Sequence, residues 1–134
     1  MSLTVHTFLP SPADSRDVVG QVLDTPERIS NSAGFESWRT EVWGSEAMRS
    51  LGARFFPVLA DPSRPRADLI VMPEEIPALL GECRMVREWL VEVVPQDPDE
   101  AVFARLALGI LDRLANIEIA AGRALGVGGG VLIW

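Results

Sequence analysis

PDEAVFARLALGILDRLANIEIAAGRALGVGGGVLIW, residues 98–134, is the stretch on which the fold turns. At the helical step of about 100° per residue, Phe103, Leu106, Ala107, Ile110, Leu111, Leu114, Ile117 and Ala121 share one broad face, and Leu108 and Ile119 extend it. Arg105, Asp112, Arg113, Asn116 and Arg123 are confined to a narrow polar strip. A helix apolar over more than half its circumference belongs between layers. The pattern predicts a helix over 99–123. Asp97 supplies a cap, Pro98 suits the first helical position, and Asp99 and Glu100 favour the positive end of the helix dipole. Gly126 is the expected stop. Val131-Leu132-Ile133-Trp134 then reads as a buried strand over 130–134.

One residue breaks this pattern. Glu118 points into the apolar arc, with Leu111, Leu114, Ala115, Ala121 and Gly122 as its helical neighbours. A carboxylate in that position needs a partner, or it takes up a proton. It is therefore a structural ion pair to an arginine, an arc edge that reaches water, or a functional acid.

Upstream, Pro73 opens a helix over 74–94 whose core face is Ile76, Leu79, Leu80, Cys83, Val86, Leu90, Val93 and Val94. Glu74, Glu82, Glu88, Glu92 and Arg84 take most of the other side. Pro95 to Pro98 separates this helix from the last one, which makes an αα-hairpin. Two apolar runs, 53–60 and 67–72, flank the turn-rich segment Asp61 to Arg66 and read as strands. Pro57 places the first of these at an edge or a bulge. Ser45 caps a short helix over 45–51, and Phe35, Trp38 and Val42 give 34–43 a helical face. Leu3 to Leu9 reads as a strand, 3–9. Ser11-Pro12-Ala13-Asp14 resembles a capped start for a helix over 12–24. The order is β-α-α-β-β-α-α-β. The expected fold is α+β, one globular domain over 1–134, with a small, mostly antiparallel sheet of about four strands packed against helices.

Composition narrows the function classes. The chain has 134 residues, 48% of them hydrophobic, and a formal net charge of −7, with 19 acids against 12 bases, all arginine. Eight acids and two bases lie between Glu74 and Glu100, whereas six bases and four acids lie between Arg28 and Arg66. Nucleic-acid binders usually carry a basic face, so neither a nucleic-acid partner nor an anionic membrane is expected. No apolar run reaches the roughly 20 residues that span a bilayer. With Cys83 as the single cysteine and no basic region before an apolar run at the N-terminus, a cytoplasmic location is expected.

Catalytic signatures are sparse. His6 and Cys83 fall on separate elements, and no ligand spacing suits zinc or calcium, so neither a metal nor a cofactor is expected. The glycines of 126–130 follow a helix and enter a strand, the reverse of a phosphate-binding loop. What stands out is Phe35 to Trp43, where Trp38, Arg39, Glu41 and Trp43 crowd together, residue types found in binding hot spots. Met85 and Trp89 lie one turn apart on the polar side of their helix and mark a possible interface. The first expectation is a small acidic protein-interaction module, a binding or inhibitor/immunity-type protein that takes a protein partner or self-associates. The alternative is a small-molecule-binding protein or acid/base enzyme that uses Glu118 near Arg39 and the tryptophans.

Overall fold

The computed structural model describes residues 2–12, 17–64 and 67–134. Its centre is strand β1 (Ser2–Pro10), flanked by β5 (Gly130–Ile133) on one edge. The other edge of β1 is shared. β2 (Val19–Val22) pairs with its end at Phe8 to Pro10, and β3 (Ser32–Phe35) with its start at Ser2 to Thr4. β4 (Leu69–Val71) completes the sheet beside β5. All pairings are antiparallel, and the path runs β2-β1-β5-β4.

Among the described residues, four α-helices accompany the five strands: α1 (Glu46–Ser50), α2 (Ile76–Glu88), α3 (Leu90–Val93) and α4 (Glu100–Val127). The architecture is α+β. α4 lies against β1, β3 and β5 on one side and α2 on another, as its wide apolar arc requires. Ile110, Leu114, Ile117, Ala121 and Ala124 are its buried positions. They meet Leu3 and Val5 of β1, Val131 and Ile133 of β5, and the α2 face in one core. Thr7 donates its hydroxyl to the Ala120 carbonyl at 2.8 Å, so the polar group on the inner face of β1 is satisfied. No helix among the described residues is long and apolar enough to cross a membrane.

Several elements differ from the sequence reading. Residues 19–22, expected inside a helix over 12–24, form β2 instead; residues 13–16 lie outside the described residues. Valines are weak helix formers, and the open edge of β1 offers them a ladder. Gly20 suits that position because a Cβ would come within 3.0 Å of the Leu9 and Pro10 backbone. The helix expected over 34–43 shrinks to a π-helical turn, Arg39–Trp43, because Ser32–Phe35 is strand β3. Gly34 decides this with φ = 113°, and the Trp38 ring packs into the space where a Cβ would stand.

The strand expected over 53–60 is a 3-10 turn, Phe56–Ala60, with Pro57 in its first turn, where a missing N–H costs nothing. The helix expected over 74–94 is broken at Trp89 (φ −106°, ψ 30°). α4 runs one turn past Arg123 and ends at Gly128 in the left-handed conformation (φ 66°), not at Gly126. Leu108 and Ile119, placed on its apolar face, are exposed.

Candidate functional site

Trp38 and Trp43 are anchors of the fold. Both are buried, Trp43 completely. The Trp43 indole N–H donates to the Ala33 carbonyl at 2.8 Å, and its ring stacks on Phe56 with centroids 4.7 Å apart. Trp38 meets Trp43 and Phe35 edge-on. Arg39 lies with its guanidinium across the chain, donating to the carbonyls of Leu59 (3.2 Å) and Ala67 and pairing with Glu36. It therefore ties the π-turn to the 3-10 turn through Nη1, while Nε is taken by Glu36. Glu41 is exposed beside them.

Glu118 does not meet Arg39. It pairs with Arg87 of α2, with side chains 29% and 44% exposed respectively, so the pair bridges α2 and α4 at the edge of the core. The cluster of Glu118, Arg39 and tryptophans expected from the sequence does not form. A half-exposed pair of this kind contributes little, and Glu118→Gln is expected to lower stability by less than about 1 kcal/mol in urea denaturation.

The buried carboxylate is Glu82, which the sequence reading placed on the polar side of its helix. Only 7% of the residue is exposed. Its Oε1 accepts the backbone N–H of Arg54 at 2.7 Å, its Oε2 that of Phe56 at 2.9 Å, and both oxygens lie 3.1 Å from the Phe55 nitrogen. These are the orphan donors at the start of the 3-10 turn, capped from a distant helix. A signal existed in the sequence. Leu79 and Val86, three before and four after, are buried neighbours on the same face as Glu82.

Nor do nucleophile and base meet. Cys83 is sealed in the core, and burial pushes its thiol up to about 12, with Glu118 and Glu82 adding to the effect. His6 bonds Thr4 and packs edge-on against Trp134, and burial lowers its pKa. Among the described residues, no group of three or more acidic, histidine or cysteine side chains is placed to hold a metal. The partly open space between β1, the 23–31 loop and α4 offers about 20 Å³, room for little more than one water.

No protein-family model, curated protein or solved structure matches this chain significantly.

Among the described residues, apolar side chains face outward at several places, two of them grooves beside helices. The first is an open groove of about 540 Å³ lined by Glu46, Ala47, Ser50 and Leu51 from α1 and its end, and by Trp89 and Glu92 at the α2–α3 break. Its construction is local. Ser45 caps α1 by accepting the Met48 N–H at 3.1 Å, and the fully buried Met48 fixes the helix, leaving Glu46 and Ser50 outward. The break after Glu88 leaves the Trp89 side chain out of the core, 51% exposed. Met85, one turn earlier, is half-buried and does not line the groove. Glu46 and Glu92 have no ion-pair partner among the described residues. The second feature runs along α4 beside Phe35.

Proposed function

We propose that this protein is a small acidic interaction module, cytoplasmic, that docks a basic segment of a partner protein in the Trp89 groove. The observation that carries this reading is Trp89 itself. A large aromatic residue stands half-exposed in an apolar groove whose two charged wall residues, Glu46 and Glu92, are both acids. Tryptophan buries much area at small entropic cost, and its face attracts arginine or lysine. Residues 74–100, which include α2, α3 and the start of α4, carry eight acids against two bases, an excess that attracts a cationic partner to this part of the surface. Glu118 in an ion pair with Arg87, and Arg39 fixed by backbone carbonyls, further favour an interaction module over an acid/base enzyme.

Selection from a displayed peptide library tests the reading. The enriched peptides are expected to be basic and apolar, and to lose about 2 kcal/mol of affinity, roughly 30-fold, against Trp89→Ala at an unchanged melting temperature. Peptides that are acidic, or that bind the Trp89→Ala protein equally well, would refute it.

A further inference from the structure

We infer that a second copy of this chain docks on the outward side of α4, antiparallel and centred between Leu108 and Gly109. This rests on a different surface from the Trp89 groove and shares no residue with it. Leu108 of α4 is 63% exposed and Phe35, at the end of β3, is 54% exposed; both line the same outward face. Beside Leu108 runs a groove of about 480 Å³, walled by Phe35, Val102, Leu106 and Gly109. Each copy therefore carries both a knob and a hole, the self-complementarity that a two-fold interface needs. Gly109, without a side chain, leaves that hole open at its centre.

Charge fixes the direction. Arg105 and Asp112 also line this groove, and neither has an ion-pair partner among the described residues. They lie two turns apart, about 10.5 Å along the axis, and within about 60° of Leu108 around it. Positions 105 and 112 are equidistant from the point between 108 and 109. An antiparallel copy about that point sets Arg105 opposite Asp112 of the partner subunit, twice over. A parallel copy would set like charges together. On a chain of net charge −7, this face carries Arg105 and Arg113 against Asp112, so the excess acid that would repel a second copy is absent from the groove lining.

Light scattering on the eluting wild-type chain is expected to give twice 14.6 kDa. Leu108→Glu, at an exposed position that leaves the core intact, should return the mass to 14.6 kDa with an unchanged circular dichroism spectrum. Arg105→Asp and Asp112→Arg should each weaken self-association at least about tenfold. Mixing these two single variants should restore a dimer, because each then meets its opposite, and the double variant should dimerise alone. A wild-type chain that stays monomeric at millimolar concentration would overturn the inference. So would a dimer that survives Leu108→Glu, or one that neither charge reversal weakens.

Discussion

Replacing Glu82 by alanine is expected to destabilise the protein by about 3–5 kcal/mol, the largest single-residue loss foreseen for a charged side chain here. The change removes the acceptor for three backbone N–H groups, those of Arg54, Phe55 and Phe56. The Phe55 and Phe56 amides lie in buried surroundings, where water cannot replace the lost acceptor and each orphaned donor costs roughly 1–3 kcal/mol. The damage would spread along contacts already described. Phe56 stacks on Trp43, and the Leu59 carbonyl holds Arg39, so the 3-10 turn links α2 to the tryptophan cluster. Glu82→Gln keeps one oxygen but turns an NH₂ towards backbone donors, and should recover only part of the loss. Urea denaturation measures both. A Glu82→Ala loss below about 1 kcal/mol would show that the amides find other acceptors.

The second large effect is an alkaline one, and one thiol should account for it. Cys83 is fully buried, and burial raises its pKa from the ordinary 9.0 to about 12. In the unfolded chain the thiol loses its proton near 9.0, while the folded chain holds it to about 12. The folded state therefore binds more protons across that window. The contribution is intact below pH 9 and is lost as pH rises towards 12. The full loss is about 4 kcal/mol, at 1.36 kcal/mol for each pKa unit.

Most proteins would blur this signal with tyrosine and lysine, which titrate near pH 10. This sequence contains neither, and all of its bases apart from His6 are arginine. Denaturation midpoints should fall through this range for the wild type and stay level for Cys83→Ala, whose baseline is lower because of the cavity it leaves. An equal alkaline slope in both proteins would place the titrating group elsewhere. The thiol should also resist alkylation until the chain unfolds, since the thiolate is the reactive species.

Much of the frame was legible along the chain. The 3.6-residue repeat from Phe103 to Ala121 and the glycines beyond it specify α4 and the strand that follows, although the cap expected at Asp97 is supplied by Asp99 instead. These signals are local and strong, and one helix with a wide apolar arc implies layers on more than one side. The Ser45 cap and the α2 stripe are legible for the same reason. Short segments behaved otherwise. Val19 to Val22 and Ser32 to Phe35 carry too few residues for a period to show, and what decides them is a vacant edge of β1. Phe56 to Ala60 resembles a strand until Glu82, some two dozen residues away, supplies the cap for a turn.

The same division runs through the site. The sequence by itself determined that the chain would build an α+β core around its last helix and that it carries excess acid. Each follows from composition or from a period within one element. Only the tertiary structure decided which carboxylate is buried, that Arg39 closes on carbonyls rather than on Glu118, and that Trp38 and Trp43 lie in the core while Trp89 and Leu108 stay outside. The reason is that a side chain's role depends on what the rest of the fold brings against it. Spacing along a helix fixes the direction in which a residue points, and only packing determines what it meets.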